Sequence, residues 1–261
     1  MREVTWNDPE VRGALAALKQ TAPFVYGLTN YIAANLSANV LLAVGAGPAI
    51  GAGPGWPEAW GAGAGAVWIN AAALMSSGPE TLLAAAGAAN AAGTPWVLDP
   101  VAVGAGAAPY DAVIRELLAL RPTVVRGNAS ELIALAGAGT GGKGVETTAS
   151  AEEAREILAD LATRSGSIVA VSGPVDYITD GKTLLAVPGG DARLTKVTGA
   201  GCSLGALIAA ALAPRGDALT ATAAAHAIYA VAAERAGART RGTASFGTAL
   251  VDELSLLAPA E

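Results

Sequence analysis

Short runs rich in valine, isoleucine and tryptophan alternate along the chain with longer stretches in which apolar residues return every third or fourth position. Residues 23–28, 48–50, 66–69, 96–98, 123–125 and 167–171 carry little internal polarity, as strands covered on both faces do, and they predict buried parallel strands. Between them the spacing predicts amphipathic helices. Residues 111–120 place Val113, Ile114, Leu117 and Leu118 on one side, and residues 152–164 place Ala154, Ile157, Leu158 and Leu161 at i, i+3, i+4 and i+7. The rhythm breaks at Tyr177-Ile178-Thr179-Asp180-Gly181-Lys182-Thr183-Leu184, where an Asp-Gly turn between β-formers predicts a hairpin. Beyond Gly199 only helical patterns remain, over residues 201–212, 217–236 and 244–257. The whole predicts an α/β fold: a mostly parallel central sheet with helices on both faces and an antiparallel edge, built as one domain over residues 1–261.

Ligands of such sheets bind outside the carboxyl ends of the strands, and polar residues gather there. Thr29-Asn30 follow the first predicted strand, Asn70 the third, Asp99-Pro100 the fourth, Arg126-Gly127-Asn128 the fifth and Ser172-Gly173 the sixth. The run Lys196-Val197-Thr198-Gly199-Ala200-Gly201-Cys202-Ser203-Leu204-Gly205 adds a glycine-rich turn that opens an apolar helix. Its glycines allow close backbone approach, and the helix end presents unpaired N–H groups and the positive end of its dipole, so Gly199, Ala200, Gly201 and Cys202 form a candidate anion hole. Cys202 lies at that helix end, a position that lowers a thiol pKa, and thiolate character is expected of it.

Composition narrows the partners. A formal net charge of −6, with no cluster of lysine or arginine, leaves a nucleic-acid surface without its electrostatic footprint. One cysteine excludes an internal disulfide, the N-terminal residues have no signal-peptide character, and a cytoplasmic enzyme is expected. Between Lys19 and Glu80 the only charged residue is Glu58. Asn30, Asn35, Asn39 and then Gly45, Gly47, Pro48, Gly51, Gly53, Pro54 and Pro57 interrupt this stretch, so it cannot form a membrane span. Deep burial, a neutral substrate pocket and a subunit interface all account for it.

Four further motifs carry competing readings. Gly137-Ala138-Gly139-Thr140-Gly141-Gly142-Lys143-Gly144 nearly spells a phosphate loop, but Gly144 replaces the magnesium-binding hydroxyl and a helix precedes it, so a surface turn is expected. Gly201-Cys202-Ser203-Leu204-Gly205 matches a hydrolase nucleophile elbow, with Asp217 and His226 following in hydrolase order. No strand directly precedes that serine, and His226 falls inside a helical run, where a packed residue is expected. Asn128 and Glu131 have N-cap and N3 spacing, which reads either as a capping box or as a magnesium relay. Asp99 before Pro100 projects off a strand end, as a structural cap or as a carboxylate serving a metal or proton transfer.

Thr29-Asn30, Leu98-Asp99-Pro100-Val101-Ala102-Val103-Gly104-Ala105, Arg126-Gly127-Asn128-Ala129-Ser130-Glu131, Val171-Ser172-Gly173-Pro174-Val175-Asp176 and Leu194-Thr195-Lys196-Val197-Thr198-Gly199-Ala200-Gly201-Cys202 together resemble the hydroxyethylthiazole kinases of thiamine salvage. These belong to the ribokinase-like superfamily, and the order and spacing match over nearly the whole chain. The resemblance implies phosphorylation of the alcohol of 4-methyl-5-(2-hydroxyethyl)thiazole with ATP as co-substrate and magnesium as cofactor. It also implies a homotrimer with sites near subunit interfaces. Carried over by motif, Arg126 and Ser172 match ATP-binding positions, and Gly199, Ile50 and Asn30 fall on the substrate side. Asp99 and Glu131 match the magnesium and phosphate carboxylates. Cys202 stands where most ribokinase-like kinases have an aspartate base.

The departures lie on the substrate side. Tyr26 and Gly27 stand where the family often has histidine or another polar residue, and Gly51-Ala52-Gly53-Pro54-Gly55-Trp56-Pro57 replaces an acidic segment. Alternatives are a kinase of another small heterocyclic or sugar alcohol, a serine hydrolase, and a non-catalytic thiazole-binding protein.

Overall fold

A computed structural model describes residues 1–137 and 151–259, apart from the side chains of residues 151–154. Its strands are β1 (Arg2–Glu3), β2 (Phe24–Leu28), β3 (Gly47–Ile50), β4 (Ala66–Asn70), β5 (Trp96–Asp99), β6 (Val124–Asn128), β7 (Ile168–Ser172), β8 (Val175–Thr179) and β9 (Leu184–Pro188). They form one sheet in the order β1-β9-β8-β7-β6-β5-β4-β2-β3. Every predicted strand is present. The Asp180-Gly181 hairpin pairs β8 with β9, with Thr179 opposite Leu184.

The sheet departs from the sequence pattern at that end. The antiparallel strand is not the edge: β9 turns back into the common direction and β1 pairs beyond it in parallel, Arg2 beside Leu185, so β8 alone runs against its neighbours. A two-residue strand reading Arg-Glu has no period to detect, which is why the pattern stops one strand short.

The helices are α1 (Pro9–Thr21), α2 (Tyr31–Ala43), α3 (Trp56–Gly63), α4 (Pro79–Ala92), α5 (Ala108–Ala119), α6 (Ala129–Ala136), α7 (Ala151–Ser165), α8 (Ala200–Leu212), α9 (Ala218–Arg239) and α10 (Thr243–Leu256). Alternation along the strands separates two cores. In β4, Ala66 and Trp68 pack with α1, α2, α8, α9 and α10, while Val67 and Ile69 pack on the other face with α3, α4 and α5. Val125, Val169 and Val171 continue that second face beneath α5, α6 and α7.

Helix α8 is the inner one. Every residue from Ser203 to Leu212 is buried, with β4 and β5 on one side and α2 and α9 on the other. Small side chains allow that approach: a Cβ on Gly205 would lie 2.7 Å from the Trp68 indole nitrogen. Glycine at 205 is therefore a packing requirement of the inner helix.

The same logic governs α3 and α4, where a Cβ on Gly61 would lie 2.7 Å from the Ala85 carbonyl oxygen and 3.0 Å from the Ala88 methyl. Gly61→Val should therefore destabilise the fold by about 2 kcal/mol through overpacking. Thermal denaturation should read this as a fall in Tm of about 4–8 °C, with the native circular dichroism spectrum retained at room temperature. An unchanged Tm would mean that α3 moves off α4 without cost.

Candidate functional site

Strands β2, β4, β5, β6 and β7 are neighbours in the sheet, so Thr29, Asn70, Asp99, Arg126 and Ser172 emerge in series at one edge. The N-terminal turn of α8 lies over them. Asp99, the last residue of β5, is fully buried. Its Oδ2 accepts a hydrogen bond from Asn70 Nδ2 at 3.0 Å and lies 3.7 Å from Arg126 Nη1. Its Oδ1 has no partner among the described residues. Burial pushes the Asp99 carboxyl up to about 7 and the nearby Glu131 charge adds to the rise, against the opposing pull of Arg126 and Asn70.

Arg126 donates from Nη2 to Ser172 Oγ at 2.8 Å. A Cβ on Gly201 would meet Arg126 Nη1 at 3.2 Å, so the guanidinium lies directly under the first turn of α8. The structure therefore brings Arg126, Ser172, Asp99 and Gly201 to one place.

Asn128 and Glu131 form a complete capping box on α6, with Asn128 Oδ1 accepting from the Glu131 N–H and Glu131 Oε2 from the Asn128 N–H, both at 2.9 Å. Glu131 Oε1 accepts from the Ala102 N–H at 3.1 Å and so fixes the turn after β5. Both Glu131 oxygens are engaged by backbone, and the free buried oxygen of the predicted pair is on Asp99. Among the described residues no three His, Cys, Asp or Glu side chains gather as a metal cluster.

At the mouth of α8, Gly199 takes φ +85°, and a Cβ there would press to 3.3 Å on Ala33 Cα in α2. The candidate anion hole offers fewer free N–H groups than the sequence implies. The Ala200 N–H already donates to the Val197 carbonyl at 3.1 Å because the chain tightens before the helix, which leaves the N–H groups of Gly201 and Cys202 at the opening. From α9, the Tyr229 hydroxyl donates to the Ala200 carbonyl at 2.9 Å and shares a 2.8 Å hydrogen bond with Ser203 Oγ. Burial raises the Tyr229 phenol to about 12, so it stays neutral.

The expected Cys202 thiolate is corrected. Burial pushes this thiol up to about 11 and the Asp99 charge adds to it, against the Asn70 hydrogen bond and Arg126. A helix end favours the thiolate, but desolvation beside a carboxylate outweighs it.

The hydrolase arrangement is also absent. Ser203 bonds to Ala200 and Tyr229, Asp217 caps α9 by accepting from the Thr220 N–H at 2.8 Å, and His226 Nδ1 lies 2.6 Å from Asp176 Oδ2.

Of the residues expected to face substrate, Ile50 ends β3 with Cγ1 3.3 Å from where a Gly27 Cβ would stand, beside Trp68. Asn30 caps α2, accepting from the Ala33 N–H at 2.8 Å, and its Nδ2 lies 3.6 Å from Met75 Sδ. The phosphate-loop-like run retains only Gly137, the αL cap of α6, within the described residues. In the sequence Asn70 stands at the edge with no role attached, and Tyr229 lies in a helical run that carries no signal beyond an isolated aromatic.

A family model described as the hydroxyethylthiazole kinase family matches residues 15–260. A hydroxyethylthiazole kinase of Burkholderia pseudomallei (strain 668) is 72% identical over 261 residues, which is 100% of this chain and 94% of that one. The solved hydroxyethylthiazole kinase structure from Pyrococcus horikoshii superposes with a TM-score of 0.86 at 35% identity, covering 95% of this chain and 93% of that one. Pyridoxal kinase from Staphylococcus aureus, solved with AMP-PCP and pyridoxal, shares the ribokinase-like fold at 17% identity, with a TM-score of 0.61 over 81% of this chain and 88% of that one.

The raised Cys202 pKa has a direct readout. Only the thiolate reacts with iodoacetamide, and a thiol titrating near 11 has a small thiolate fraction at neutral pH. The alkylation rate of the folded protein should therefore rise about tenfold per pH unit between pH 7 and 9 without levelling. A plateau below pH 8 would restore the thiolate.

Proposed function

The chain belongs to the hydroxyethylthiazole kinase family, and on that premise we propose that it transfers the γ-phosphoryl group of ATP to the alcohol of 4-methyl-5-(2-hydroxyethyl)thiazole, a step of thiamine salvage. The observation that carries this reading is the Arg126–Ser172–Asp99 cluster beneath the N-terminal turn of α8. A phosphoryl group in transit gathers charge on its equatorial oxygens, and the work of the site is to hold and neutralise that charge.

Arg126 and Ser172 hold the ATP phosphates, Arg126 as the buried cation. The N–H groups of Gly201 and Cys202 receive the transferring phosphoryl group at the positive end of α8. Asp99, through its free Oδ1, fits a magnesium ion, with Glu131 adding negative charge and contacts through water; when bound, the ion supplies charge neutralisation at the phosphates. Cys202, as a neutral thiol, orients the alcohol. A loose transition state leaves most of the proton on that alcohol until late, so little base assistance is required.

Ile50, Gly199 and Asn30 face the thiazole. Assembly as a homotrimer belongs to the same reading: Tyr31, Ile32 and Leu42 of α2 and nearby Met75 are exposed apolar side chains in a segment whose only charge is Glu58. Burial alone does not account for that segment. A cytoplasmic location accords with the single free cysteine, and among the described residues no helix is long and apolar enough to cross a membrane.

Mass spectrometry of the thiazole alcohol incubated with protein, ATP and magnesium should reveal a product heavier by one phosphoryl group, absent without ATP and suppressed by chelation. Gly201→Val, which drives a side chain onto Arg126 and into the path of phosphate, should lower turnover at least about 10²-fold with little change in Tm. Near-normal turnover would remove the α8 mouth from the mechanism. Faster turnover of a competing alcohol would shift the substrate to another member of that class. The mass in solution should be that of three copies, and Ile32→Asp with Leu42→Asp should shift it to one. A fully active monomer would defeat the assembly.

A further inference from the structure

His226 is the only histidine of the chain, and its side chain is fully buried in α9. Its Nδ1 lies 2.6 Å from Asp176 Oδ2, and its Nε2 has no partner among the described residues. A buried imidazole with one polar contact is a costly choice where packing alone would accept an aliphatic or aromatic residue. What Asp176 does explains it. Strand β7 ends at Ser172 and β8 begins at Val175, so Gly173-Pro174 is a minimal turn. Pro174 has no N–H, and the turn is pinned by Asp176 Oδ1 accepting from the Gly173 N–H at 2.8 Å.

Burial opposes the charge on Asp176, but the His226 ring, the Gly173 N–H and nearby Arg126 outweigh it and hold the carboxyl below its ordinary range. An ionised carboxylate only accepts, so Nδ1 of His226 carries its proton toward it. The turn so fixed begins at Ser172, the partner of Arg126. Tyr229, three residues along α9, meanwhile fixes Ala200 and Ser203 at the mouth of α8. One face of α9 thus reaches both walls of the phosphate site.

We propose that His226 is a positioning residue of the nucleotide site: through Asp176 it sets the turn after β7 and with it the Ser172–Arg126 contact on ATP. This rests on the reading that ATP is held by Arg126 and Ser172. The link acts on nucleotide affinity, because it orders the wall that ATP touches and leaves the α8 mouth to Tyr229.

His226→Phe keeps the ring volume and removes the hydrogen bond. It should raise KM for ATP about tenfold, as expected when a charged buried acceptor loses its donor, while kcat and KM for the alcohol change less than about twofold. Asp176→Ala should do the same. The double variant should be no worse than the worse single one, since both break one link. His226→Asn, which restores a donor, should recover most of the ATP affinity. A lowered Tm with wild-type KM for ATP would make the pair purely structural and overturn the proposal, as would an equal loss in kcat or additive effects in the double variant. If His226→Phe does not fold, Asp176→Ala and His226→Asn carry the same comparison. Arg126→Lys separates the two levels. If it leaves KM for ATP unchanged, the nucleotide-site reading fails and the proposal with it; if it raises KM while His226→Phe does not, the proposal alone fails.

Discussion

The constraint on which the rest depends is the enclosure of α8. A helix buried from Ser203 to Leu212 has no freedom to slide or tilt, and its N-terminal turn is thereby fixed over the ends of β4, β5 and β6. That placement requires glycine at 205 against Trp68 and at 199 against α2, whereas a Cβ at 201 would meet only the end of the Arg126 side chain. The tightness that builds the core thus also keeps the backbone at the mouth of α8 open to close approach.

The electrostatics of the edge follow from that burial. Asp99 is wholly removed from water and has one engaged oxygen and one free, so its proton affinity rises. The same carboxylate raises Cys202. A thiol at a helix end is ordinarily an acidic one, and here its neighbour reverses the sign. Under the proposed phosphoryl transfer a neutral thiol at that place suffices, because charge stabilisation contributes more than base strength to a loose transition state.

Glu131 illustrates how one residue joins architecture and site. Its two oxygens hold the start of α6 and the turn after β5, which keeps a negative charge close to Asp99 without leaving either oxygen idle. Of the two readings of Asn128 and Glu131 the cap is formed, and the charge it fixes raises the proton affinity of the neighbouring carboxylate.

The sequence by itself determined the period-two and period-3.6 elements, the carboxyl-end placement of Asn70, Asp99, Arg126 and Ser172, and the glycine turn before α8, since each of these is written in local spacing. The order of the motifs also carried the family. Contacts between distant segments were decided by the tertiary structure. It put β1 beyond β9, engaged the Ala200 N–H with Val197, brought Tyr229 to Ala200 and His226 to Asp176 from α9, and set the proton affinity of Cys202. Local propensity depends on neighbours in the chain, whereas desolvation and charge depend on neighbours in space, and only packing of the folded chain supplies those.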